Sequence, residues 1–375
     1  MNILINASNL NEGGAIQVTD SICKSLDRFP EIFFVVVLSI PLRNVGKQIE
    51  KYQNVLIYEY SLKQNISTLL TGRDKFLDQK VQQHKINAVL TIFGPTAWVP
   101  KCPHLLGFAR AQLLITDSPY FKRMRRIQWI KEYIHNNILA YFFTRKSPTI
   151  YTENPEITEL FKKKFCYSQV YTITNYYNQI YDNKEYWVKR KLPAFNGCTL
   201  LLISGLCSHK NQTISVEIAK VLKRKYPDFK FRFVFTFNED EFIPIDSNIK
   251  EHFNLIGKVK LEECPSLYEQ ADIMFQPTLL ECFTATYAEA MRMRCPIVTT
   301  DLKFARGLCQ NAAYYFSPLS AEEAADAIYE VATNENCRNK LIEAGLDQLK
   351  TYDDYNVRTV KLIELLKKIA HHKNI

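Results

Sequence analysis

Several patterns are missing from this 375-residue chain, and each absence closes a class of function. No Cys-x-x-Cys pair occurs among the ten cysteines, which argues against a zinc site. The cysteines are scattered too evenly for a disulfide scaffold and read as free thiols of a reducing cytosol. The Gly-x-Gly-x-x-Gly fingerprint is absent, which disfavours a nicotinamide enzyme. The longest apolar run, Ile32-Phe33-Phe34-Val35-Val36-Val37-Leu38, is too short to cross a bilayer. The opening Met1-Asn2-Ile3-Leu4-Ile5-Asn6-Ala7 lacks a basic n-region and reads as a first strand, not a signal peptide. No nucleic-acid-binding motif is recognised. The expectation is a cytoplasmic protein, soluble or peripheral at the inner face of the cytoplasmic membrane.

What is present is ordinary globular composition, 47% hydrophobic and 23% charged, with material for two cores. Short apolar runs alternate with helical stretches, the rhythm of parallel α/β architecture. In the first half, strands are expected at residues 3–7, 33–39, 55–60, 88–93, 104–108, 149–152 and 170–174, and a helix over 15–29. Residues 175–197 are poor in aliphatic side chains and rich in Tyr and Asn, which marks a linker region. The rhythm then restarts, with strands at 199–204, 231–236, 273–276 and 296–300 and helices at 212–226 and 284–294. Late helices are expected at 321–333 and 337–349, and an amphipathic one at 356–370. The domains are set at 1–178 and 198–355, with 179–197 as linker and 356–375 as a closing helix.

The net charge of +9 is unevenly placed: residues 1–190 hold 25 Lys and Arg against 15 Asp and Glu, and the remainder is near neutral. A basic first half points to a polyanionic surface or ligand. The stretch from Tyr120 to Phe143 is the candidate, because Lys122, Arg123, Arg125, Arg126 and Lys131 interleave with aromatic and aliphatic residues at near-helical spacing. Such a helix can lie on an anionic membrane, with Trp129 and Tyr133 at headgroup level. The alternative is a core helix with a solvated basic flank.

The densest chemical signal is Glu281-Cys282-Phe283-Thr284-Ala285-Thr286-Tyr287-Ala288-Glu289, two carboxylates across a loop that enters a helix. A carboxylate grips sugar hydroxyls through paired hydrogen bonds and does not easily bind phosphate. The helix start between the two acids offers free N–H groups to a diphosphate. Together these make a nucleotide-sugar site; the bland alternative is a glutamate pair that steadies the helix dipole.

The pattern resembles the Glu-x7-Glu motif of retaining GT-B glycosyltransferases, family 4 (the glycosyl transferases group 1 type). Pro296-Ile297-Val298-Thr299-Thr300-Asp301 and Ala312-Ala313-Tyr314-Tyr315-Phe316-Ser317-Pro318 extend the likeness. The resemblance implies two Rossmann-like domains facing across a cleft, with the last helix crossing back to the first domain. It implies that Glu289 binds the ribose and Glu281 the transferred sugar of a UDP- or GDP-sugar. Backbone N–H groups of Phe283, Thr284 and Ala285, with Lys210, would stabilise the leaving diphosphate. Gly13 and Gly14, after the first strand, would look across at the donor phosphates, where glycine admits close approach.

In Ser204-Gly205-Leu206-Cys207-Ser208-His209-Lys210-Asn211 the family usually has an Arg after the Gly, and here Leu206 stands there. His209 and Arg110 are candidates for the missing cation. Cys282 and Thr284 replace the family's usual glycines, and Thr284 is a candidate helix cap. His104 reads as a satisfied strand-end histidine. No Asp-x-Asp, the metal-holding motif of single-domain glycosyltransferases, occurs, so a site without metal or cofactor is expected. The implied function is hexosyl transfer to a saccharide or lipid-linked acceptor in bacterial surface-polysaccharide synthesis (lipopolysaccharide or capsule). Two rivals stand beside it. One is a nucleotide-sugar epimerase on the same two-domain plan. The other is a non-catalytic peripheral membrane adaptor, which the departure at Leu206 favours.

Overall fold

The computed structural model describes residues 1–11, 13–63 and 66–372. The chain forms two compact units: Met1–Thr116 with Arg125–Asn178 and Asp353–Ile375, and Asp117–Met124 with Gln179–Tyr352.

The first unit is built on β1 (Asn2–Ala7), β2 (Phe33–Leu38), β3 (Val55–Glu59), β4 (Ala88–Thr91), β5 (His104–Phe108), β6 (Thr149–Thr152) and β7 (Val170–Thr172). These pair in the order β3-β2-β1-β4-β5-β6-β7, all parallel. β2, Phe-Phe-Val-Val-Val-Leu, is buried along nearly its whole length, as a strand covered on both faces must be. Gly107 in β5 is required by close approach: a Cβ there would lie 1.9 Å from the Ile92 carbonyl oxygen, which also accepts the Tyr151 hydroxyl at 2.5 Å. The closing helix Tyr355–His372 sends Leu362, Ile363, Leu365 and Leu366 into the same core as Ile3, Ile5, Ile22 and Leu90. Arg358 secures it by donating to Ser21 Oγ at 2.6 Å and to Asn175 Oδ1.

The second unit repeats the plan with β8 (Cys198–Leu202), β9 (Phe231–Phe235), β10 (Phe253–Leu255), β11 (Ile273–Gln276), β12 (Ile297–Thr300) and β13 (Ala313–Phe316). Their order is β10-β9-β8-β11-β12-β13, again all parallel. Both sheets are doubly wound, and the strand order reverses at β1/β4 and at β8/β11. In such sheets ligands bind outside the carboxyl ends of the strands at that reversal.

Three expectations need correction. The helix expected over 15–29 is Gly14–Cys23 followed by a separate turn Leu26–Arg28, because the chain leaves helical geometry at Ser25 (φ −101, ψ 2). β10 and β13 were not foreseen as strands. The stretch from Tyr120 to Phe143 is not one helix. Pro119–Lys122 is capped by the Ser118 hydroxyl, which accepts from Tyr120 N–H at 3.1 Å. Arg125 is extended (ψ 145), and Arg126–Thr144 begins only after it. Lys122 and Arg123 therefore belong to the second unit and lie off the long helix.

On Arg126–Thr144 only Asn136 and Phe143 are buried. Ile127, Ile130, Ile134, Ile138 and Tyr141 recur every three or four residues and are all exposed, so they form one apolar stripe on the outer side. Trp129 stacks on Tyr133 beside it at 5.4 Å. Among the described residues no helix is long and apolar enough to cross a membrane. Among the described residues no disulfide joins any of the ten cysteines.

Candidate functional site

The loops after β8 and β11 meet at the order reversal of the second sheet. The His209 carbonyl accepts from Leu279 N–H at 2.8 Å and from the Thr278 hydroxyl at 3.2 Å, which stitches the two loops together. This brings the Lys210 ammonium to 2.5 Å from Glu281 Oε1, with only 15% and 11% of the two side chains exposed. Thr278 Oγ1 lies 3.1 Å from the same carboxylate oxygen and can turn its one proton there instead. The His209 ring is held below the ordinary histidine pKa chiefly by burial, against the opposing pull of Glu281. It is thus a neutral imidazole at pH 7. The side of Gly205 is open, with no atom within 4 Å of where a Cβ would stand. Leu206 packs against the apolar core and carries no surrogate charge.

Helix Ala285–Arg292 begins after Thr284, which holds the N-cap position (φ −132, ψ 120) without a side-chain cap bond. Its hydroxyl pairs instead with the Thr286 hydroxyl at 2.8 Å, so the expected cap is not made. Among the described residues, no hydrogen bond engages the N–H groups of Phe283, Thr284 or Ala285. A helix start with free donors is a ready anion seat.

Glu289 lies further along that helix and is only 2% exposed. Tyr268 donates its hydroxyl to Glu289 Oε2 at 3.2 Å. Burial raises the Glu289 carboxyl pKa to about 7, while the hydroxyls of Tyr181 and Tyr268 and the charge of Lys210 pull it back. The carboxylate expected to bind ribose is, in this arrangement, buried beside the Tyr268 hydroxyl.

Three residues of this site escaped the sequence reading. Ser118 Oγ donates to the Leu279 carbonyl at 2.6 Å, Tyr120 Oη lies 3.3 Å from Ser208 Oγ, and Arg123 donates to Asn211 Oδ1. The short segment Asp117–Met124 thereby lays a guanidinium beside the Ser208–Asn211 turn. No spacing rule could have found it, since its partners lie some ninety residues along the chain (|i−j| = 88).

Gly13, Gly14 and Arg110 belong to the first unit, at the carboxyl edge of its sheet. Gly13 has φ +74, and among the described residues nothing lies within 4 Å of the Cβ position of either Gly13 or Gly14; Glu12 beside them lies outside the described residues. Arg110 follows β5, and its buried Nε has no hydrogen-bond partner among the described residues. His104 starts β5, at the opposite sheet edge. Its Nε2 sits 2.9 Å from Thr91 Oγ1, and burial lowers its pKa to about 3, so it is a neutral, satisfied histidine. The structure therefore gathers Gly205, His209, Lys210, Glu281, Phe283, Thr284, Ala285 and Glu289 around one reversal, and places Gly13, Gly14 and Arg110 on the other unit.

Residues 188–348 match the family model described as glycosyl transferases group 1. No curated protein matches the sequence. Among solved structures, the chain is similar to a glycosyltransferase from Rickettsia africae ESF-5 at 15% identity, with TM-score 0.70 and 98% of each chain covered. It is similar to Anabaena HepE in complex with UDP-glucose at 13% identity and TM-score 0.69, over 98% of this chain and 99% of that one. It is also similar to WaaG, a glycosyltransferase involved in lipopolysaccharide biosynthesis, at 13% identity and TM-score 0.67, over 98% and 99%. At these identities the likeness establishes the fold: α/β with two Rossmann-like domains, the GT-B architecture.

Proposed function

We propose that this protein is a retaining glycosyltransferase of family 4 type that moves a hexose from a UDP- or GDP-sugar to a saccharide or lipid-linked acceptor, without metal or cofactor. The observation that carries the reading is the convergence of Lys210, the free N–H groups of Phe283 to Ala285, and two glutamates at the β8/β11 reversal. The match over residues 188–348 and the UDP-glucose held by HepE support it.

The diphosphate seats at the start of helix Ala285–Arg292 and draws the Lys210 ammonium from Glu281. That frees Glu281 to accept from sugar hydroxyls. Glu289 takes the ribose hydroxyls once the Tyr268 hydroxyl turns aside. The bond between the sugar C1 and the phosphate oxygen breaks, and its electrons leave with the nucleoside diphosphate. The acceptor oxygen bonds C1 on the same face, and its proton passes to the departing phosphate oxygen. Donors already aimed at the charge that grows there lower the barrier without reorganising. Lys210 is one cation for this charge; Arg123, beside Asn211, is the second, in place of the arginine that Leu206 displaces.

The test is a thermal-shift screen with UDP-, GDP- and ADP-sugars, followed by transfer assays with excess chelator. A bound donor raises the melting temperature, and transfer persists in the chelator. No shift with any nucleotide-sugar, or activity restored only by a divalent cation, would remove the reading. Arg123→Ala is expected to weaken donor affinity by about tenfold, the scale of one charge-assisted hydrogen bond, with the melting temperature unchanged. An unaltered donor KM in that variant would return the second cation to Arg110.

The acceptor side is read from the outer stripe of Arg126–Thr144, with Trp129 and Tyr133 alongside and Arg125, Arg126 and Lys131 nearby. Exposed aliphatic and aromatic residues on a basic chain half fit an anionic bilayer surface, here the inner face of the cytoplasmic membrane. A lipid-linked acceptor in surface-polysaccharide assembly would meet the enzyme there, and the role of WaaG in lipopolysaccharide biosynthesis supports that setting. Co-sedimentation with vesicles containing phosphatidylglycerol, reduced in Ile134→Asp/Ile138→Asp, is the expected result. A soluble dimer dissolved by the same substitutions would assign the stripe to self-association instead.

A further inference from the structure

The first unit has a second edge, where its strands begin. A cavity of about 850 Å³ opens there beside the first residues of β5 and β6. Five cationic side chains line it, Arg73, Lys101, Arg145, Lys146 and Lys368, and among the described residues no carboxylate does. Since all strands of the sheet run in one direction, this edge lies opposite the one that carries Gly13, Gly14 and Arg110.

The cations are held in different ways. Arg145 donates to the carbonyls of Leu69 and Leu70 at 2.7 and 2.6 Å, and its guanidinium lies 5.7 Å from the Tyr141 ring centre; none of these partners neutralises it. Lys368 reaches within 5.7 Å of the Tyr171 ring centre. Among the described residues, Lys101, Lys146 and Lys368 form no ion pair with a carboxylate. Only Arg73 has one, with Asp78 at 2.7 Å. Lys146 and Ser147 are both left-handed, at φ +60 and +47. Non-glycine residues hold that geometry at a cost, and such strain clusters where a ligand is clamped. Like charges gathered around one hollow repel one another unless an anion shares it.

The rim says which anion. The carbonyls that fix Arg145 belong to helix Ile66–Thr71, whose Ile66 and Leu70 are 75% and 74% exposed. Tyr141, stacked on Arg145, is the last member of the apolar stripe on Arg126–Thr144. That helix is 19 residues long, about 28 Å, and its C-terminal end delivers Arg145 to the cavity. Apolar side chains that would enter acyl chains thus border a hollow that would hold a phosphate, the arrangement of a headgroup seen from the bilayer plane.

We propose that this cavity binds the phosphate of an anionic phospholipid headgroup and anchors the first unit on the membrane at the edge opposite the one that carries Gly13, Gly14 and Arg110. The proposal deepens the bilayer reading given above and rests on it for the supply of lipid. It is tested with dihexanoyl-phosphatidylglycerol kept below its micelle concentration, by calorimetry, alongside vesicles of phosphatidylcholine with and without phosphatidylglycerol. Wild type binds the monomeric lipid, and Lys101→Gln/Lys146→Gln/Lys368→Gln binds it at least about tenfold more weakly, as loss of several phosphate contacts requires. A control with the same charge loss elsewhere on the unit, Lys47→Gln/Lys51→Gln/Lys163→Gln, keeps wild-type affinity. Ile134→Asp/Ile138→Asp keeps the monomeric lipid and loses the vesicles. Equal binding by wild type and the cavity variant overturns the proposal, as does inorganic phosphate binding as tightly as the lipid. Wild type that takes the monomeric lipid and ignores vesicles overturns the bilayer reading and upholds the cavity.

Discussion

Lys210→Ala is expected to lower kcat by about 10²–10³-fold at saturating donor, the usual effect of removing one preorganised donor from a developing oxyanion. The variant also leaves Glu281 shielded without its partner, so a fall in activity alone could reflect a loosened loop. Breaking a shielded ion pair from one side destabilises because the remaining charge is uncompensated. The double variant Lys210→Ala/Glu281→Gln removes that charge. Its melting temperature returns towards wild type while its kcat stays down, which separates electrostatic catalysis from packing. Full turnover by either variant would strip Lys210 of its part in the reaction.

Glu289→Gln is expected to lose donor binding and yet to be the more stable protein at pH 8. The sign follows from the raised carboxyl pKa. Folding lifts it from 4.5 to about 7, so the folded chain holds that proton more tightly than the unfolded chain. Stability contributed by the protonated carboxyl is complete below about pH 4.5 and is lost as pH rises through about 7. The shift corresponds to an upper bound of about 3.5 kcal/mol at about 1.4 kcal/mol per pKa unit. Glutamine stays neutral throughout and can still accept from the Tyr268 hydroxyl. The variant therefore matches wild type at pH 4.5, gains on it from there to pH 7, and melts at least about 3 °C higher at pH 8. Glu153, raised to about 8 mainly by burial, contributes with the same sign but is common to both proteins and cancels in the difference. Melting curves from pH 4.5 to 8.5 check this. A gap that does not widen with pH would mean that Glu289 titrates as an ordinary exposed glutamate.

The central strands were readable because parallel strands covered on both faces become unbroken apolar runs, as in Phe33–Leu38 and Cys198–Leu202. β10 was not, since all three of its residues are only half-buried. β13, Ala-Tyr-Tyr-Phe, was noticed only as part of a motif. The pair Glu281 and Glu289 was legible as a motif, but their surroundings were not. Tyr268 reaches Glu289 across 21 residues, and Lys210 reaches Glu281 from another loop. Such partners are fixed by the order of strands in the sheet and leave no periodic trace. The Tyr120 to Phe143 stretch was misjudged for the same reason. Its composition is continuous, while Pro119 and the extended Arg125 divide it between two bodies, and that division lays Arg123 beside Asn211.

The closing helix has a consequence for how the protein is made. Ile3 and Ile5 are translated long before Leu362, Ile363, Leu365 and Leu366, which share their core. The part of the first sheet's core that this helix covers must wait open while the whole second unit is synthesised, although Val18, Ile22, Val45 and Ile49 already cover the rest. Holding apolar surface open for that interval favours aggregation, so the nascent chain should depend on a chaperone more than either unit's size alone suggests.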